Sequence, residues 1–214
     1  MIPVTSERQA LRHSRLLLGR VAGERLALGV LLLVTVSLQL LWLTSDTRPQ
    51  PGADPNDYLI RTTVFVDALQ QPGRADAWEL LQALSLQGRP PLYQLLAVPA
   101  IYLFGRSADA ALVVNLFFGA LLIVATYGAA KVAKNGTTGL LAAALVVAYP
   151  PVLQLSKIFR PQAALPACTA LSLWLLLLLL KTRSVKVAWL LGASLGLGAL
   201  IHLDFLYTMP VPAI

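Results

Sequence analysis

The stretch PPLYQLLAVPAIYLFG, residues 90–105, decides how this chain is folded. It is apolar enough to enter a bilayer, and whether it crosses sets the side on which every later loop emerges. As helix it reaches about 24 Å, short of the roughly 30 Å hydrocarbon core. Two prolines lead it and Pro99 interrupts it. These features predict a helix partly embedded at one membrane surface, or re-entrant, and not a crossing.

Five longer apolar runs surround it, at 26–43, 110–130, 138–156, 163–180 and 187–208. Each approaches or reaches the length a transmembrane helix needs. Of the 214 residues, 57% are hydrophobic and 13% charged, and mean hydropathy is +0.70; soluble domains carry about 25% charged residues. Inside hydrocarbon such runs satisfy their backbone only as helix, so the fold class is an all-α polytopic membrane protein. The first run follows an arginine-rich tail and lacks small-residue cleavage chemistry, so it reads as a retained helix and not a signal peptide.

The charges orient the chain. Arg8, Arg12, Arg15, Arg20 and Arg25 outweigh Glu7 and Glu24 ahead of the first helix, which places residues 1–25 in the cytoplasm. If 90–105 stays on the outer side, Lys131, Lys134, Lys181, Arg183 and Lys186 all fall in the cytoplasm; if it crosses, they fall outside. The first arrangement is favoured. It gives five crossings within a membrane region at 26–208, with an outer-face segment at 45–105. Residues 209–214 end without a polar tail, and the chain is expected to be truncated there. The net charge of +7 punctuates hydrophobic segments instead of forming one stripe, which argues against a nucleic-acid partner. Cys168 is the single cysteine, inside an apolar run, and reads as a buried structural thiol. Asn135-Gly136 marks an inner turn. Gly192 and Gly196 suggest a face for close helix approach.

The outer segment carries the candidate chemistry. Asp54-Pro55-Asn56-Asp57 reads as a helix N-cap, a proline at the first helical position and an acidic first turn. Tyr58, Thr62, Phe65, Val66 and Leu69 then share one helical face, turned to lipid or to the bundle. A second short helix is predicted at about 76–86, carrying Trp78, Leu80, Leu81 and Leu84. Asp54 either only caps its helix or, held ionised by it, accepts a proton from an attacking hydroxyl. Arg89 either snorkels to headgroups or binds a phosphate in bidentate fashion. His202 and Asp204 stand near the outer end of the last predicted helix, where ionisable residues are costly and point to function. Asp204 either reaches interfacial water or pairs with Arg160 or Arg89.

Asp54 and Tyr58, then Arg89-Pro90-Pro91-Leu92-Tyr93, then Leu103-Phe104-Gly105, follow one another in an order that resembles the N-terminal part of the GT-C superfamily. These are membrane glycosyltransferases using polyprenyl-phosphate-linked sugars, among them protein O-mannosyltransferases and the aminoarabinose transferases of lipid A. The resemblance runs over roughly 25–208. It implies a GT-C-like transmembrane bundle with juxtamembrane helices in the first outer loop. It implies Asp54 as the catalytic carboxylate and inverting transfer to an acceptor hydroxyl on the periplasmic or extracellular face of the cell membrane. Tyr58, Arg89, Tyr93, Lys157, Arg160 and His202 become candidates for substrate or lipid-phosphate binding, with Asp57 and Asp204 as further acidic groups. The implied partners are a polyprenyl-phosphate sugar donor, a glycan, lipid or protein acceptor, and the bilayer.

Two departures weigh against full activity. Pro55 replaces a glutamate that often follows the aspartate. Gln162 stands about where the second outer loop commonly has an acidic residue, and glutamine lacks the charge to hold a divalent metal. Either this subgroup works without a metal, or its second carboxylate comes from elsewhere and a divalent metal can still bind, or this copy is inactive. The alternatives to an active transferase are an inactive or partial member, or a transporter fragment, although no repeated halves support the latter.

Overall fold

The computed structural model describes residues 4–45, 53–70, 84 and 90–208, with side chains described except at 4–18, 20 and 54. Every regular element among the described residues is helical. Helix α1 spans Val4–Ser45, α2 Ala53–Gln70, α3 Leu92–Phe104, α4 Ala108–Ala133, α5 Gly136–Ala148 and α6 Pro150–Leu155. A 3-10 turn at Pro161–Ala163 leads into α7, Leu165–Thr182, followed by α8, Val185–Ile201, and α9, Phe205–Thr208. The stretches Val21–Ser45, Ala108–Ala133 and Pro161–Thr182 are long and apolar enough to cross a membrane. The chain is thus a multi-pass membrane protein, and large exposed side chains such as Leu33, Leu41, Leu145, Leu180 and Trp189 suit lipid contact. The apolar helices Leu92–Phe104, Gly136–Ala148 and Val185–Ile201 are shorter.

Local chemistry explains where helices stop. The residues before α3 are Pro90 and Pro91, which cannot donate into a preceding turn but open a helix readily. Gly105 ends α3 at φ 96°, a conformation that favours glycine, and returns its N–H to the Ile101 carbonyl at 3.0 Å. Ser107 caps α4 by accepting from the Ala110 N–H at 3.1 Å. Asn135 caps α5 by accepting from the Thr138 N–H at 2.9 Å, so the predicted Asn-Gly turn is present.

Contacts sort the helix ends into two groups. At one end Glu24 of α1 meets Lys131 at the close of α4, and Leu28 shares a cavity with Val132 and Lys181, near the close of α7. At the other end Trp42 and Leu43, near the close of α1, share a cavity with Leu112 of α4 and with Ser156 and Lys157. Arg106 pairs with Asp67 of α2 and bonds Gln70. His202, after α8, contacts Gln162 at the head of α7. The close of α1 and the opening of α4 therefore share one end of the bundle, and α2 and α3, which lie between them in sequence, begin from and return to that end. Helix α3 packs against α2, α4 and α8.

Three expectations are corrected. The predicted single helix at 138–156 breaks at Tyr149, φ −76° and ψ 115°, because Pro150 and Pro151 disfavour helix in the residue before them. The predicted helix 187–208 stops at Ile201; His202 is extended, at φ −161° and ψ 136°. The Phe205 ring folds back against Gly198, where a Cβ has no room. Gly192 and Gly196 have nothing within 4 Å of a built Cβ, so the close-approach face lies instead at Gly128, against Trp174, and at Gly198. Cys168 is buried, as predicted.

Candidate functional site

The site is built on the connection between α6 and α7, residues 156–162, which is pinned by polar groups from two helices. Tyr93 and Phe159 are completely buried, with ring centroids 5.1 Å apart. The Tyr93 hydroxyl donates to Asn115 Oδ1 at 2.6 Å. Asn115 Nδ2 in turn donates to the carbonyls of Ser156 and Ile158, each at 3.0 Å. Burial pushes the Tyr93 phenol far above its ordinary value, against smaller opposing effects of the Arg160 backbone and Asn115, so it stays a proton donor across the working pH range. Asn115 escapes sequence reasoning because a lone amide in the apolar run of α4 carries no spacing signal. Its partners are visible only once the chain is folded.

At the far end of this connection Gln162 faces His202, with the amide nitrogen 3.3 Å from Nε2. The Asp204 N–H donates to His202 Nδ1 at 3.1 Å, which makes Nδ1 an acceptor and leaves the ring proton on Nε2. Turning the Gln162 amide end for end brings Oε1, which has no partner in the drawn orientation, onto that proton. The Asp204 carboxylate also approaches Nδ1, at 3.3 Å, and is largely exposed. His202 and Asp204 are thus joined through a turn after α8 and do not sit on a helix as the sequence suggested, and the Asp204 backbone makes the bond to the ring.

The remaining candidates are distributed around this core. Lys157 is exposed and holds its ammonium 4.9 Å from the centre of the Trp42 ring. Arg160 is half-buried beside Tyr93. Tyr58 is completely buried, along with Thr62, and Phe65 and Val66 are nearly so, while Leu69 on the same predicted face is exposed. This face of α2 therefore turns to the bundle. Helix α2 begins at Ala53, which puts Asp54 and Pro55 inside its first turn. The side chain of Asp54, all of Arg89, residues 76–86 other than Leu84, and residues 209–214 lie outside the described residues. Leu84 is buried and its carbonyl accepts from Gln94 Nε2 at 3.2 Å. Asp57 is exposed on α2.

An apolar cavity of about 290 Å³ opens beside this connection, between Thr35, Gln39 and Trp42 of α1, Leu112 and Leu116 of α4, and Lys157. Among the described residues no three His, Cys, Asp or Glu side chains converge. Gln162, His202 and Asp204 together offer an amide, an imidazole and one carboxylate, a set short of the charge a hard divalent cation takes. The residues described therefore do not fit a metal, and no step below runs through one.

A family model described as dolichyl-phosphate-mannose-protein mannosyltransferase matches residues 88–214, more than half of the chain. The chain belongs to this family. The match covers the connection 156–162, Tyr93, Asn115 and His202, and it opens one residue before Arg89; Asp54 and the rest of α2 precede it. Membership places the chain among the glycosyltransferases. No curated protein and no solved structure matched it.

Proposed function

We propose that this protein transfers a sugar from a polyprenyl-phosphate donor to an acceptor hydroxyl at the end of the bundle that holds Tyr93, Lys157, Gln162 and His202. The carrying observation is the mannosyltransferase family match over residues 88–214, a stretch that includes the polar-pinned connection 156–162. The cavity beside Lys157 supports a lipid-linked donor: its walls are apolar, which suits an isoprenoid tail, and the ammonium stands where a phosphate at the membrane surface ends that tail. The basic residues Lys131, Lys134, Lys181, Arg183 and Lys186 gather at the opposite end, which by the positive-inside bias faces the cytoplasm. The legs α1, α4, α5 with α6, α7 and α8 then make five crossings. The site faces the periplasm or exterior, and residues 1–25 lie inside.

In this reading Asp54 removes the acceptor proton as the hydroxyl attacks the anomeric carbon, the glycosidic bond to phosphate breaks, and configuration inverts. Arg89, with Lys157 and Arg160, balances the charge left on the departing lipid phosphate. Tyr58 and Tyr93, being enclosed, act by holding α2 and the connection in place. His202 turns Nε2 toward Gln162 and, in this reading, offers it to a phosphate oxygen of the donor. The competing reading is a catalytically silent member, favoured by Gln162 where an acidic residue is common.

The test is transfer of labelled sugar from polyprenyl-phosphate mannose by the complete protein in proteoliposomes. Asp54→Asn should lower transfer by about a hundredfold or more, and Arg89→Lys should retain more activity than Arg89→Ala. Transfer unaffected by Asp54→Asn overturns the mechanism; no transfer from any polyprenyl-phosphate sugar to any acceptor supports the silent reading.

A further inference from the structure

At the basic end of the bundle, away from the site above, a second cavity of about 430 Å³ opens between α1, α4 and α7. That volume lies within the roughly 300–1,000 Å³ range of small-molecule sites. Its walls are Leu28, Val124, Trp174 and Leu178, and its polar rim is Lys131 and Lys181. Gly128 lies in its wall, where a Cβ would collide with the Trp174 indole.

The two lysines differ in their occupation. Lys131 gives one N–H to Glu24 Oε2 at 3.0 Å and one to the Tyr127 hydroxyl at 2.8 Å, so one of its three donors is left. Lys181 is exposed and makes no ion pair among the described residues. Arg183 and Lys186 follow it, and Lys134 follows Lys131, while Glu24 is the acidic residue the described contacts place here. An apolar slot in the membrane, ending in two ammonium groups under a basic surface, has the chemistry of a lipid that is apolar below and anionic above. Zwitterionic lipids bring their own cation to such a rim and lose the advantage.

We propose that this cavity binds one anionic glycerophospholipid of the surrounding leaflet, its phosphate between Lys131 and Lys181 and an acyl chain along Trp174, Leu178 and Leu28. The site is independent of sugar transfer and does not rest on the reading of the opposite end. Bound there, the lipid ties α1 to α7, two helices with no other extensive packing between them.

The test uses the complete protein in nanodiscs and native mass spectrometry, with phosphatidylglycerol, phosphatidylcholine and polyprenyl phosphate offered in competition. The expected result is a retained phosphatidylglycerol adduct and a higher unfolding temperature in phosphatidylglycerol than in phosphatidylcholine. Lys181→Gln should weaken retention about fivefold, the worth of one lysine at an anionic surface. Lys186→Gln, which removes an equal charge outside the cavity, should leave retention unchanged. Since Lys181 is exposed, its replacement is not expected to disturb folding, and the unfolding temperature in phosphatidylcholine checks this. Equal retention of phosphatidylcholine, equal loss on Lys186→Gln, or preferential retention of polyprenyl phosphate each overturns the proposal.

Discussion

Asn115 holds more of the site together than any residue the sequence points to. Its amide uses three hydrogen bonds to join α3, α4 and the 156–162 connection, from a side chain that is itself buried. Asn115→Leu leaves the Tyr93 hydroxyl proton and the Ser156 carbonyl without that partner, at about 1–3 kcal/mol each, while the Ile158 carbonyl keeps the Arg160 N–H. The variant should unfold several degrees lower in detergent, and the 156–162 connection should become the first point of proteolysis. Tyr93→Phe removes a single donor while keeping the ring against Phe159, so its cost should be about 1 kcal/mol by the same measurement. The converse result, with Tyr93→Phe the more damaging, would place the stabilisation in the hydroxyl's own contact with Arg160. His202 illustrates a different limit on sequence reading. Nothing between Gly198 and Asp204 breaks a helix by composition, and the break comes from a side chain taking its neighbour's N–H and a ring folding back onto glycine.

At the scale of the elements, apolar run length located the helices well. The predicted cores at 26–43 and 110–130 lie inside observed helices, and 163–180 does so from Leu165 on. Periodicity also found the buried face of α2, except at Leu69. The failure at Tyr149 has a plain cause: an unbroken apolar run conceals a backbone break, although Pro150 and Pro151 mark it. Gly192 and Gly196 of α8 misled because spacing says which residues are small and not which neighbour arrives. Helix α4 therefore makes a sharp test. Gly128→Ala drives a methyl into Trp174 and should cost about 1–3 kcal/mol, whereas Gly192→Ala, in open space, should be neutral or stabilise by up to about 1 kcal/mol through helix propensity. Parallel unfolding curves of the two variants decide it.

For the whole molecule, the placement of 90–105 could be argued from its length and prolines, but only contacts tie both flanks of it to one end of the bundle. Single cysteines in a Cys168→Ser background check this. Ser45→Cys and Asp109→Cys should react with a membrane-impermeant thiol reagent from the same side, and Lys134→Cys and Arg183→Cys from the other. Labelling of positions 45 and 109 from opposite sides would show that 90–105 crosses. The roles proposed for Asp54 and Arg89 were legible only through family pattern, since a capping aspartate and an interfacial arginine have ordinary structural uses.

Glu24 has a consequence for how the protein is made. It lies near the start of the first crossing, yet it bonds Lys131 and Tyr127 and lies against Gly136, where a Cβ would collide with its carboxylate. All three residues are synthesised more than a hundred residues later. The contact that ties the first crossing to the α4–α5 hairpin therefore forms no earlier than that hairpin is made, and helices α6 to α9 join a bundle whose first long-range joint already exists.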